Sequence, residues 1–187
     1  PLYLVTNNYT RYYLQEYDAI ERLGFGEENV LVAIDNEDVL GTRTDGKSVA
    51  ALREVLHLES IHTVHVSHRA RNCYGVVLRH RDGWSLVFSG DTMPTDALVQ
   101  AGRGATILIH EATMEDVEEE LAHAKGHSTI GQAIDVARRM EAEHVLLTHF
   151  SQRYPKLARL SSTESGTPYV GTAFDLMQTK MSDLRRM

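Results

Sequence analysis

Val87-Phe88-Ser89-Gly90-Asp91-Thr92 closes an alternating apolar run that begins at Trp84. Trp84-Ser85-Leu86-Val87-Phe88 has the two-residue period of a half-buried strand, and Ser89-Gly90 stops it. Asp91 follows on a turn whose glycine permits close backbone approach, and Pro94 opens a helix. The pattern therefore sets a carboxylate at the tip of a strand, a position suited to a metal ion or a transferred proton. Aspartate is also a common turn and cap residue, so this stretch alone specifies structure more firmly than chemistry.

Working outward, the same design recurs. The apolar run 105–109 leads into His110-Glu111, and the run 144–148 leads into His149. His68 follows a strand at 61–66, and strands at 74–78 and 84–88 are joined by a turn at Arg81-Asp82-Gly83. Strands lying side by side bring such tips to one sheet edge, where loops display functional groups. Imidazole nitrogens and carboxylate oxygens are the ligand set for zinc and similar ions. A carboxylate can also bridge two ions, which points to a two-metal hydrolytic site. Taken one at a time, His68, His110, His127 and His149 each have an ordinary reading as surface, core or helix-start histidines. The repetition is what lifts the site reading.

The remaining pattern supplies the frame. Residues 1–5 and 30–34 read as short strands flanking a helix that is capped at Asn7 or Thr10 and runs to about Arg22. Residues 35–47 read as an exposed polar loop. A helix at 48–57 carries Val49, Leu52, Val55 and Leu56 on one face. A second, at 114–123, turns Val117 and Leu121 inward. Thr129 and Gln132 form a capping box for a helix with Ile130, Ala133, Ile134, Ala137 and Met140 on its buried side. Residues 169–177 read as a last strand or a strand–helix corner. Mixed strands and helices without strict alternation predict an α/β layered sandwich.

Composition limits the partners. The chain has 187 residues, 42% hydrophobic, enough for one core or part of a larger one. A net charge of −7 argues against indiscriminate nucleic-acid binding but leaves room for a local basic track. Cys73 is the sole cysteine, which excludes an internal disulfide and a cysteine-built zinc site. No apolar run is long enough to span a bilayer as a helix, and no membrane role is expected. The start at Pro1, directly in an apolar strand, suggests an excerpt from a longer polypeptide.

Four motifs in order are more specific than any of this: Phe88-Ser89-Gly90-Asp91-Thr92, Ile109-His110-Glu111-Ala112-Thr113, Gly126-His127-Ser128-Thr129, and Leu147-Thr148-His149-Phe150-Ser151-Gln152-Arg153-Tyr154. Together they resemble ribonuclease Z, the tRNA 3′-processing endonuclease, and most closely the carboxyl half of its long eukaryotic form. The resemblance implies a metallo-β-lactamase αββα sandwich, with residues 1–187 as the carboxyl-terminal part of one domain. It implies zinc-dependent hydrolysis that removes the 3′ trailer of precursor tRNA and leaves a 3′-hydroxyl. By that likeness Asp91 bridges two zinc ions, while His149 and His68 each ligate one. Glu111 and His127 form the proton-donating pair. Arg153, Tyr154 and Lys156 are the segment expected to meet RNA.

This sequence departs from the family pattern in two places. His68 lies one residue farther than usual from the aromatic-glycine pair Tyr74-Gly75, which leaves His65 as an alternative ligand. The family's His-x-His-x-Asp-His motif is absent and is expected upstream of Pro1, so the 187 residues alone should bind zinc weakly and cleave nothing. A nuclear or mitochondrial enzyme, working as a homodimer or as one long pseudo-dimeric chain, is the expected setting. The competing readings are another hydrolase of this fold and a non-catalytic half acting as a structural partner.

Overall fold

The apolar runs emerge as strands and the helical repeats as helices in a computed structural model that describes residues 2–25, 31–40, 46–153 and 168–186. In chain order these are β1 (Leu2–Thr6), α1 (Asn8–Glu21), β2 (Leu31–Asp35), α2 (Lys47–Val55), β3 (Leu58–His65), β4 (Tyr74–His80), β5 (Ser85–Phe88) and α3 (Asp96–Ala101). They continue as β6 (Ile107–Glu111), α4 (Glu119–Lys125), α5 (Ile130–Met140), β7 (His144–Thr148) and β8 (Tyr169–Thr172). Side chains set the helix starts. The Asn7 carboxamide accepts the Thr10 amide at 2.9 Å. The Thr129–Gln132 capping box forms in both directions, satisfying two amides that a helix start otherwise leaves bare.

β1 and β2 make a small parallel pair, and β3 to β8 form one six-stranded sheet in chain order. β3, β4 and β5 are antiparallel neighbours, whereas β5, β6, β7 and β8 run parallel. Parallel neighbours need a crossover, usually helical; α3 spans the first and α5 the second. Because β3 also runs in the direction of β5, the carboxyl ends of β3, β5, β6 and β7 share one edge. The expected convergence of strand tips is therefore a result of topology.

Val64, Val77, Val87, Leu108, Val145 and Leu147 line one face of the sheet and pack with Leu98 and Val99 of α3 and Val136, Ala137 and Met140 of α5. On the other face, at the β3–β4 end, Ile61, Val76 and Leu78 meet Ile34, Val39, Val49 and Leu52. Each fully buried aliphatic side chain contributes about 1.5–3 kcal/mol. Farther along that second face, Phe88, Ile109 and Leu146 sit in register across β5, β6 and β7. Phe88 is 44% exposed there, and Ile109 and Leu146 are half-buried.

Several expectations need correction. The region read as an exposed loop at 35–47 includes a 3₁₀ turn, Asn36–Val39, whose Val39 is fully buried because it plugs the core beside α2. Val55 and Leu56 are exposed, since α2 ends before its last turn reaches the sheet. Val117 is 88% exposed, because Asp116–Glu118 is a 3₁₀ turn whose period differs from the α-helical one assumed. β6 extends through His110 and Glu111, which are strand residues and not a loop after the strand. No helix among the described residues is long and apolar enough to cross a membrane.

Candidate active site

Asp91, Glu111, His127, His149 and His68 come together at the shared carboxyl edge. His68, Asp91 and His127 each offer a ligand-type atom within 4.8 Å of the other two, as do Glu111, His127 and His149. Asp91 stands on the turn after β5. Gly90 at φ 61° makes that turn, and a Cβ there would meet the Tyr74 carbonyl oxygen at 3.0 Å. The Asp91 carboxylate lies 3.7 Å from His149 Nε2, both side chains remaining open to solvent.

His68 arrives on the irregular stretch after β3, and two bonds stitch that stretch to the Asp91 turn. The Ser67 amide donates to Thr92 Oγ1 at 3.1 Å, and the Met93 amide donates to the Ser67 carbonyl at 2.7 Å. His68 Nδ1 donates to the Gly126 carbonyl at 2.7 Å. A carbonyl only accepts, so the hydrogen is on Nδ1 and Nε2 keeps its lone pair for the site. Gly126 has φ 78°, and a Cβ there would press on the Arg69 amide at 2.8 Å. Glycine thus lets the two loops touch. His65 points elsewhere: it faces Glu37 at 3.7 Å and packs on the Tyr74 ring. Of the two alternatives, only His68 reaches Asp91 and His127.

Glu111 is 2% exposed, and among the described residues its carboxylate is met by a ring of donors. The Thr92 amide reaches Oε1 at 2.9 Å, and the Thr113 and Ser128 amides reach Oε2 at 3.2 and 3.1 Å. Thr113 Oγ1 adds a bond of 2.7 Å to Oε2. His127 Nδ1 lies 2.7 Å from Oε1, which turns its Nε2 away from the carboxylate. The His127 ring is set edge-on to His68 and stacked with His149, at centroid distances of 4.9 and 5.4 Å. A buried carboxylate held by three backbone amides thus aims an imidazole into a cluster of potential metal ligands. Beside it lies an open pocket of about 630 Å³ lined by His68, Arg69, Lys125, His127, Ser151 and Arg153.

A family model described as the beta-lactamase superfamily domain matches residues 27–150. The chain belongs to the beta-lactamase superfamily. Within it, the mouse protein named zinc phosphodiesterase ELAC protein 2 is 48% identical over 135 residues, covering 72% of this chain and 16% of the relative. The Drosophila melanogaster protein named ribonuclease Z, mitochondrial, is 42% identical over 163 residues, covering 84% of this chain and 20% of that one. The crystal structure of a long-form RNase Z from yeast superposes with a TM-score of 0.82 at 25% identity, over 92% of this chain and 27% of that chain. This chain spans about a sixth of the length of the first of these relatives. The likeness establishes the metallo-β-lactamase fold, with its mixed sheet and flanking helices.

Other polar residues of this superfamily member take structural roles. Burial, and secondly the charge of Asp91, push the Cys73 thiol up, keeping it protonated and unsuited to nucleophilic work. His110 is a core histidine. Its Nδ1 donates to the Glu111 carbonyl at 2.6 Å, and its buried Nε2 has no partner among the described residues. Burial holds its pKa below the ordinary histidine value. The unfolded chain then takes up a proton, near pH 6.5 and below, that the folded protein refuses. Stability is therefore expected to fall as pH drops through about 6.5. Urea titrations at pH 7.5 and 5.5 check this, and a His110→Gln variant should show a shallower loss.

Motif reading passed over the hydroxyls that build the Glu111 cradle: Ser89, Thr92, Thr113 and Ser128. Ser89 Oγ accepts the Glu111 amide at 3.0 Å, and Ser128 Oγ donates to the Thr92 carbonyl at 2.7 Å. The available signal was a small hydroxyl residue beside each acid or histidine of the motifs. Arg153 is exposed at the rim of the pocket, whereas Tyr154 and Lys156 lie outside the described residues.

Proposed function

We propose that this chain is part of a zinc-dependent endonuclease that removes 3′ trailers from precursor tRNA. The observation that carries the reading is the Glu111–His127 bond of 2.7 Å, with His68 and Asp91 within 4.8 Å of His127 and His149 Nε2 3.7 Å from the Asp91 carboxylate. Metal ligands alone would suit any hydrolase of the fold. A buried carboxylate bonded directly to an imidazole suits a reaction whose departing alkoxide needs a proton. The names of the mouse and fly relatives and of the yeast structure agree with this reading.

The donor chemistry fits zinc. His68 presents Nε2, and His149 Nε2 faces the Asp91 carboxylate at 3.7 Å, the nitrogen and oxygen atoms that zinc takes. His68, Asp91 and His149 would hold it. Zinc, when bound, makes water more acidic and offsets charge on phosphate oxygens. Three such side chains suffice for one catalytic ion but not for two. We assign the missing donors to another segment of the protein, which would also cover Phe88, Ile109 and Leu146 on the open face.

The chain's own residues do the rest. His127, its Nδ1 on Glu111, would pass a proton from Nε2 to the 3′ oxygen of the last retained nucleotide as the bond from that oxygen to phosphorus breaks and a water oxygen takes its place on phosphorus. The tRNA then carries a 3′-hydroxyl, and the trailer leaves with a 5′-phosphate. Arg69, Lys125 and Arg153 line the pocket beside His127, where they can meet the RNA backbone.

The test compares the full-length protein with these 187 residues. The full protein should bind zinc stoichiometrically and cut a precursor tRNA to a 3′-hydroxyl end, and the excerpt should bind zinc weakly and cut nothing. Full-length protein that binds zinc and hydrolyses a lactam or thioester, but leaves precursor tRNA intact, would replace this reading with another hydrolase of the fold.

A further inference from the structure

Three site histidines each need an outer partner for Nδ1 if Nε2 is to face the reaction. His68 has the Gly126 carbonyl and His127 has the Glu111 carboxylate. Among the described residues, His149 has neither a backbone carbonyl nor a carboxylate bonded to that nitrogen. Its Nδ1 lies 2.8 Å from Thr113 Oγ1. We propose that Thr113 is a positioning residue that fixes the tautomer and orientation of His149 as a metal ligand, drawing both from Glu111. The proposal rests on the reading of His149 as a ligand given above.

The hydroxyl has a single hydrogen to give. Glu111 Oε2, at 2.7 Å, is a carboxylate oxygen that already receives two backbone amides, so it is an acceptor. The Thr113 hydrogen therefore goes to Glu111, and a hydroxyl lone pair is what faces His149. His149 Nδ1 must then be the donor, so that in the neutral ring the lone pair is on Nε2, the nitrogen turned toward Asp91. His127 Nδ1 lies 3.3 Å from the same hydroxyl, but its shorter bond is the one to Oε1.

The backbone makes this anchor necessary. His149 sits at φ 61°, a left-handed conformation that a non-glycine residue adopts at some expense. Its side chain is 48% exposed, so packing does little to hold the ring. Thr113, 7% exposed, is tied down by β6 through its own amide bond to Glu111. One carboxylate thereby serves two imidazoles, His127 directly through Oε1 and His149 through the Thr113 hydroxyl on Oε2. Valine has the same shape without the hydroxyl, and serine keeps the hydroxyl without the methyl.

The test uses the full-length protein in two measurements made without RNA, so its outcome is independent of the tRNA reading. Competition with a chromophoric chelator gives zinc affinity, and nitrogen chemical shifts of ¹⁵N-labelled histidine give the His149 tautomer before zinc is added. Thr113→Val should lower zinc affinity by about 10- to 100-fold, the usual effect of losing a group that orients a ligand. Thr113→Ser should restore it to within a few-fold, a rescue that a role in mere packing would not give. Wild-type zinc affinity in Thr113→Val overturns the proposal. Should that variant not fold, the unaltered protein still decides: a hydrogen on His149 Nδ1 upholds the assignment, and one on Nε2 overturns it.

Discussion

The His127→Ala variant of the full-length protein is expected to retain its zinc and lose about 10²–10⁴-fold in kcat, the usual contribution of a positioned general acid. The expectation separates two roles that the geometry brings close together. His127 lies within 4.8 Å of His68 and Asp91 and also belongs to the group with Glu111 and His149. A ligand role would make zinc content fall with the substitution. A proton-donor role lowers the rate alone. Its Nδ1 bond to a buried carboxylate favours the second, because a ring held there by Nδ1 turns Nε2 outward as a proton donor. Metal analysis beside single-turnover cleavage decides it. Zinc loss in parallel with activity would move His127 into the ligand set and leave the leaving group without a named donor.

Replacing Glu111 by leucine should do more than slow the reaction. It would strand the amides of Thr92, Thr113 and Ser128 in a buried site. Each unsatisfied buried donor costs about 1–3 kcal/mol, so three cost about 3–9 kcal/mol. Domains of this kind are stable by only about 5–15 kcal/mol. Glu111→Leu is therefore expected to unfold or to show a much lower urea midpoint, whereas His127→Ala stays close to the parent. Glu111→Gln should fall between them, since its one carboxamide oxygen can accept while its NH₂ opposes donors. A Glu111→Leu protein as stable as the parent would mean that the cradle is filled from elsewhere.

The sequence made the strands legible because each is short, apolar and ended by a turn, and the motifs made the site legible because acid or histidine follows at the tip. β7 at 144–148 came out with its predicted bounds, and the Thr129–Gln132 box marked the start of α5. Burial at the margins was harder to read. Val117 looked inward on a helical wheel but sits on a 3₁₀ turn, where the period no longer applies. Val39 lay in a polar stretch and is fully buried, because one valine can plug a core while its neighbours remain wet. The choice between His68 and His65 rested on loop length in the sequence. In space it rests on the Ser67–Thr92 and Ser67–Met93 bonds, which join residues about 25 positions apart. Thr113 stood in the Ile109–Thr113 motif without a role of its own, because its bond to His149 joins residues 36 positions apart.

The order of strands across the large sheet, β3 to β8, repeats their order along the chain. Such a sheet can grow by addition at one margin, each new strand finding its partner already in place. During synthesis, where residues emerge at about 5–20 per second, no strand must wait for a later one to be inserted between it and its neighbour. The five site side chains span positions 68 to 149, so the last imidazole is delivered with β7. The candidate site's edge thus comes together only once five of the six strands of that sheet have been laid down.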